Sequence, residues 1–167
     1  MAVEPTINER AAQSYVAVRR SVTMGDFGPA IEGHTSVFEW LNEQGIKAGA
    51  PFFRYNLIDM NGLLEIDSGV PIAADALSGL VPSGDLLLGD VPGGRFATVV
   101  HIGHPDELLG VTGELLAWAK EQGLAWDMQP TPAGERWGAR LESFLTDPDD
   151  EPDMTKWHTE LAFRLAD

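Results

Sequence analysis

Trp40-Leu41-Asn42-Glu43-Gln44-Gly45-Ile46 recurs as Trp118-Ala119-Lys120-Glu121-Gln122-Gly123-Leu124. In each copy a helical pattern runs into a glycine, the residue that takes the left-handed conformation closing a helix without steric penalty. Each helix also begins near a proline, Pro29 and Pro105, where a missing N–H forfeits no hydrogen bond. Asp106 and Glu107 follow the second proline and set negative charge on the positive end of the helix dipole.

The correspondence extends outward. Gln13 to Val22 alternates as a strand before the first helix, and Arg95 to Ile102 does so before the second. After the first helix, Pro51 to Ile58 and Leu63 to Ile72 flank Met60-Asn61-Gly62, and Asn-Gly between two β-prone runs predicts a hairpin. After the second, Glu135 to Leu145 and Lys156 to Leu165 form a second expected strand pair, joined by a longer acidic loop. Each half therefore reads β-α-β-β, with repeat 1 over 12–72 and repeat 2 over 95–166. The Gly-, Pro- and Ala-rich stretch 73–94 reads as a linker carrying at most one small extra strand around Leu86-Leu87-Leu88. Neither half is large enough to bury a good core alone, so residues 1–167 are expected to form one α+β domain with antiparallel sheets.

Composition narrows the function. Hydrophobic residues make up 44% and charged residues 22% of the 167, a globular balance. Cysteine is absent, which excludes disulfides, iron–sulfur clusters and a thiolate nucleophile, and agrees with a reducing compartment. Met1-Ala2-Val3-Glu4-Pro5 lacks the basic and apolar regions of a signal peptide, and no apolar run reaches a membrane span, so a cytoplasmic location is expected. With 26 acidic against 11 basic residues the net charge is −15, which argues against direct nucleic-acid binding and favours cations and basic partners.

Few residues carry chemistry outright. His34, His101, His104 and His158 lack metal-site spacing, so no metal or other cofactor is expected, and His104 reads as a helix-start residue. Asp147-Pro148-Asp149-Asp150-Glu151-Pro152-Asp153 has two prolines and no glycine, unlike a calcium loop, and reads as a stiff solvated connection. On the second helix Leu108, Val111, Thr112, Leu115, Ala119 and Gln122 form the inward stripe, with Trp118 at its edge, as core cladding or as the rim of a cavity. Taken as one strand, 135–145 sets Trp137, Ala139 and Leu141 on one face and Gly138, Arg140, Glu142 and Phe144 on the other. On the partner strand Trp157, Thr159, Leu161, Phe163 and Leu165 share an apolar face opposite His158, Glu160, Ala162 and Arg164. By periodicity, Glu142 and Glu160 are solvent-facing carboxylates with Arg140 or Arg164 as cross-strand partners.

A resemblance alters that balance. Arg95-Phe96-Ala97-Thr98-Val99-Val100-His101-Ile102-Gly103 and the helix ending Ala117-Trp118-Ala119-Lys120-Glu121-Gln122-Gly123 resemble the GyrI-like small-molecule-binding domain. So do Leu141-Glu142-Ser143-Phe144-Leu145-Thr146-Asp147-Pro148 and Thr159-Glu160-Leu161-Ala162-Phe163-Arg164-Leu165. The same domain is the effector-binding part of many AraC- and MerR-type transcription regulators. The resemblance implies a central cleft between the two sheet-bearing halves, with helices packed outside, aromatic walls, and a buried carboxylate that binds lipophilic, often cationic compounds. It points to Glu142 as that carboxylate, to Trp157, Trp118, Trp137, Phe53 and Tyr55 as wall candidates, and less directly to Glu160.

Three functional expectations follow. The first is a stand-alone protein holding a small hydrophobic or cationic ligand, as multidrug-binding relatives do. The second is a hydrolase of strained, cyclopropane-containing toxic compounds, with Glu142 as the catalytic acid/base. The third is inhibition of a gyrase-like protein partner. The dozen residues before the first strand are too few for a helix-turn-helix, so the chain is not expected to bind DNA itself, and as an oligomer either monomer or dimer stays open.

Overall fold

The computed structural model describes residues 4–167, so Met1-Ala2-Val3, part of the stretch read as lacking a signal peptide, lies outside the described residues. Among the described residues ten strands form one antiparallel sheet flanked by two α-helices. The elements are β1 (Thr6–Arg10), β2 (Gln13–Val22), α1 (Gly28–Gln44), β3 (Phe52–Ile58), β4 (Leu64–Pro71), β5 (Leu86–Val91) and β6 (Gly94–Ile102). There follow α2 (Leu108–Glu121), β7 (Met128–Thr131), β8 (Gly134–Trp137), β9 (Arg140–Phe144) and β10 (His158–Arg164).

The strand order is β1-β6-β10-β9-β3-β4-β2-β5, with the β7–β8 hairpin attached through β8 to β3. The duplicated unit is therefore present as β2-α1-β3-β4 and β6-α2-β9-β10. The two inner strands, β3 and β9, pair at the seam with Phe53 opposite Glu142. Joined there, the sheets of the two halves are continuous. The repeated glycines cap both helices as their position requires, with Gly45 at φ 69° and Gly123 at φ 70°. His104 starts the second helical segment: its Nδ1 accepts from Asp106 N–H at 3.1 Å, and its own N–H donates to Glu107 Oε1 at 3.0 Å.

Three regions depart from the sequence reading. β1, which alternation did not reveal, precedes the first repeat yet pairs with β6 of the second. β5 forms where a small extra strand was expected around Leu86-Leu87-Leu88, but its partner was not foreseen: it precedes the second repeat yet pairs with β2 of the first. The halves thus exchange edge strands, which covers both outer edges of the duplicated sheet.

The expected strand 135–145 is broken. A Cβ on Gly138 would fall 1.8 Å from an Asp127 carboxylate oxygen, and the Gly138 N–H donates to the Asp127 carbonyl at 2.8 Å. The step at Gly138-Ala139 ends the pairing of β8 with β7 and starts β9. It also reverses the face of Trp137, which joins Phe163 and Trp126 while Ala139 and Leu141 pack on the other side with Tyr15 and Phe52. The β3–β4 connection at Met60-Asn61-Gly62 is a hairpin, as expected, but spans residues 59–63 and is built on Asp59, whose carbonyl accepts from Gly62 N–H.

α1 packs directly on β2 and β4. At Gly33 a Cβ would meet Ser68 at 3.1 Å and Val18 at 3.4 Å, so the glycine sets the close helix–sheet approach. On α2 the buried residues are Leu108, Val111, Leu115 and Ala119, while Gln122, assigned to the inward stripe, is exposed beyond the last turn. No helix among the described residues is long and apolar enough to cross a membrane.

Candidate functional site

Between α1 and α2 a cavity of about 1460 Å³ opens over the β3–β9 seam. That exceeds the ~300–1,000 Å³ usual for a drug-sized ligand site. The helices, expected outside the cleft, supply its two walls: Ile31, His34 and Phe38 from α1, and Leu108, Leu109 and Thr112 from α2. The floor is sheet. Period-two alternation turns Phe53 and Tyr55 on β3, Arg140, Glu142 and Phe144 on β9, and Leu161 and Phe163 on β10 toward the cavity. Asp106, Asp147, Asp149 and Trp157 stand at its rim, where the Trp157 indole N–H donates to the Glu151 carbonyl at 2.7 Å.

Phe53 is the centre of the aromatic floor. His34 stacks on it at 5.0 Å and 12°, Phe144 meets it edge-on at 5.2 Å, and Tyr55 lies edge-on at 6.4 Å. His34 Nε2 is 2.8 Å from the Phe52 carbonyl, and burial lowers its pKa, so the ring is a neutral wall at pH 7.

Glu142 lies between Phe53 on β3 and Leu161 on β10. The Tyr55 hydroxyl donates to Glu142 Oε2 at 2.5 Å. Burial raises the Glu142 pKa, and the Tyr55 hydrogen bond and the Arg140 charge pull it partly back. Burial, then the Glu142 charge, raises the Tyr55 phenol well above its usual value, which keeps the hydroxyl a donor. Arg140 sits cross-strand from Phe163, its guanidinium carbon 4.4 Å from the Phe163 ring centre and 4.7 Å from that of Trp137. Burial brings its pKa down to about 10, so it stays cationic at neutral pH. The arrangement is a partly dry aromatic cavity whose floor holds one carboxylate and one guanidinium. It can stack apolar ligands and engage charge of either sign.

Of the residues singled out in the sequence, Glu142, Phe53, Tyr55 and Trp157 come together on this cavity. Trp137 is buried behind Arg140, and Trp118 packs half-buried at the edge of the core beneath α2; neither lines it. Glu160 points from the opposite face of β10 and forms a bidentate pair with Arg10, both bonds at 3.0 Å. Its partner is thus a β1 arginine instead of Arg140 or Arg164, and among the described residues no arginine forms an ion pair or hydrogen bond with Glu142, although the Arg140 charge acts on it. Sequence reasoning missed Phe27, Ile31, His34 and Phe38, although their 4-3-4 spacing marks a second stripe running from the N-cap along α1 beside the one that packs on the sheet. Among the described residues no group of three or more His, Cys, Asp or Glu is placed to hold a metal ion.

Comparison with known proteins bears on the fold and the family. The chain is similar to EcmrR, solved in a complex with DNA, with TM-score 0.73 and 16% identity over 97% of this chain, and it spans 57% of that chain. The isolated EcmrR C-terminal domain aligns over 98% of this chain and 97% of its own, with TM-score 0.70 and 15% identity. A Listeria innocua protein described as a hydrolase gives TM-score 0.63 and 12% identity, covering 98% and 92%. SAV2435, solved bound to tetraphenylphosphonium, gives TM-score 0.58 and 9% identity, covering 98% and 94%. At these identities the likeness establishes the fold alone. No curated protein matches the sequence significantly. Residues 3–165 match the GyrI-like small molecule binding domain, and the chain belongs to that family.

Proposed function

We propose that the protein binds a lipophilic, cationic small molecule in the cleft, with Glu142 as the counter-charge and Phe53, Tyr55 and Trp157 as stacking surfaces. The observation that carries this reading is the unmet capacity of Glu142. Among the described residues its carboxyl accepts one hydrogen bond, from Tyr55, and forms no ion pair, on the floor of an apolar cavity. A cation brought there is attracted by the carboxylate and by the faces of the surrounding rings, at roughly 0.5–2 kcal/mol per good ring contact. The acidic rim adds long-range attraction. The tetraphenylphosphonium bound to SAV2435 is a compound of this kind.

The test is calorimetric titration with tetraphenylphosphonium. The wild type is expected to bind, and Glu142→Gln to bind at least about ten-fold more weakly. No binding by the wild type, or equal affinity in the variant, removes the reading.

A second reading rests on the raised Glu142 pKa, which biases the carboxyl toward holding a proton it could donate to one ring carbon as a strained C–C bond breaks and water adds to the other, the water's second proton returning to the carboxylate. It predicts hydrolysis of cyclopropane-containing electrophiles, followed by chromatography and abolished in Glu142→Gln. Binding without product removes it.

A further inference from the structure

We infer that the cleft's ligand is amphoteric: an apolar aromatic body whose cationic group faces Glu142 and whose anionic oxygen docks on Arg140. This rests on the cleft reading above and adds the half of the ligand that a simple lipophilic cation omits.

Arg140 differs from every other half-buried arginine in the protein. Arg10 donates to Glu160, Arg20 to Asp85, Arg54 to Tyr15 and two carbonyls, and Arg164 to Asp127. Among the described residues Arg140 donates to no oxygen and has no carboxylate within ion-pair distance. Its guanidinium is held by the Phe163 and Trp137 rings, which supply cation–π attraction but accept none of its five N–H bonds as an oxygen would. Donors taken partly out of water without an acceptor are costly, and they are what a ligand oxygen would satisfy.

Neutralising Glu142 does not explain Arg140. The two stand at i and i+2 on one face of β9, close enough for a flexible arginine to close the pair. The closed pair does not form: Glu142 takes the Tyr55 hydroxyl, and Arg140 stays on its rings. The floor thus offers two unlike charges side by side, neither paired with the other. For a plain lipophilic cation Arg140 opposes the attraction of Glu142. For a plain anion, Glu142 and the acidic rim at Asp106, Asp147 and Asp149 oppose the attraction of Arg140. A ligand carrying both signs meets both groups, and a planar anion such as a carboxylate suits the arginine fork.

Two dyes test this: rhodamine 6G, a cationic ester, and rhodamine 19, its free acid, which shares the cationic xanthene and adds a carboxylate. Fluorescence anisotropy at neutral pH gives both affinities. The wild type is expected to bind the acid at least about ten-fold more tightly than the ester. Arg140→Met is expected to erase that preference by weakening the acid at least about ten-fold more than it changes the ester, and Arg140→Lys to keep part of it. An ester bound as tightly as the acid by the wild type overturns the inference while leaving the cleft reading in place. Equal weakening of both dyes in Arg140→Met overturns it too, since that is what loss of packing alone would do. Failure of the wild type to bind either dye or tetraphenylphosphonium removes the cleft reading and this inference together. The wild-type comparison of ester and acid decides the matter even if no variant folds.

Discussion

Two tyrosine–carboxylate pairs lie on opposite faces of the sheet and serve different ends. In the first repeat Asp67 on β4 is fully buried and accepts from the Tyr15 hydroxyl at 2.7 Å and from Arg19 at 2.7 and 3.1 Å. Tyr15 in turn accepts from Arg54 at 3.0 Å. At the seam, Glu142 on β9 has the Tyr55 hydroxyl and nothing else. The residue types are nearly the same, and so is the hydroxyl–carboxylate contact. What separates a structural charge from a candidate binding charge is the number of partners and whether a cavity adjoins. A buried carboxylate is therefore best read by the capacity left over after its own protein has bonded it.

The comparison breaks first at Asp67. Asp67→Ala leaves the buried Tyr15 hydroxyl without its acceptor and the half-exposed Arg19 with Glu65 alone, and is expected to destabilise the fold by about 2–4 kcal/mol, measured by urea unfolding. A loss under about 1 kcal/mol would mean that the network is not the closed structural charge described. Tyr15→Phe comes next, at about 1–3 kcal/mol, because both Asp67 and Arg54 lose a partner. Burial, with the Asp67 charge beside it, pushes the Tyr15 phenol from 10.0 up to about 12. The folded state therefore holds that proton more tightly, and wild-type stability falls as pH rises from 10 toward 12. The phenylalanine variant should lack this part of the alkaline loss.

The same contrast explains what the sequence could reveal. The helices, their glycine caps and the strands β2, β3, β4, β6 and β10 follow from local signals: period, prolines and Asn-Gly. β1 did not emerge, and β5 was expected only as a small strand around Leu86-Leu87-Leu88 without a partner, because both pairings are exchanges between halves and nothing in Thr6–Arg10 records that its partner lies at 94–98. The break at Gly138 has no local cause in the strand: it comes from the Asp127 backbone and side chain, brought there by the β7–β8 hairpin, whose local signal is the Thr131-Pro132-Ala133-Gly134 turn. At the site, alternation put Arg140, Glu142 and Phe144 on one face, and resemblance singled out Glu142. Alternation could not tell which glutamate would meet an arginine. Glu160 did, because β1 arrives beside β6 with Arg10; Glu142 did not, because Tyr55 takes its place.

Tyr55→Phe should cost less than Tyr15→Phe, about 1 kcal/mol or less, since the Glu142 carboxyl borders a cavity where water can replace the hydroxyl. Its sharper effect is on titration. The Tyr55 hydrogen bond lowers the Glu142 pKa against the rise due to burial, so its loss sends that pKa higher. The pH at which tetraphenylphosphonium binding reaches half its plateau should then move upward. An unmoved midpoint would mean that the 2.5 Å contact does not govern the charge on Glu142.

Glu142→Gln should have the smallest effect on stability, and its sign depends on pH. The amide oxygen can still accept from Tyr55, so the substitution removes charge and little else. Below about pH 4.5, the usual value for the group, both forms are neutral and should unfold alike. Because the folded pKa is raised, the folded wild type binds more protons than the unfolded chain as pH climbs from 4.5 through the folded value, and it loses stability across that window. The variant has no such loss, so without ligand it should become progressively the more stable of the two. Saturating tetraphenylphosphonium should reverse the order, because a bound cation favours the ionised carboxyl that only the wild type has. Urea midpoints from about pH 4 to 8, with and without the cation, would reveal both trends. A difference that stays flat with pH would show that burial does not hold the carboxyl up. A difference that the cation fails to reverse would show that Glu142, whatever its protonation, is not the charge the ligand meets.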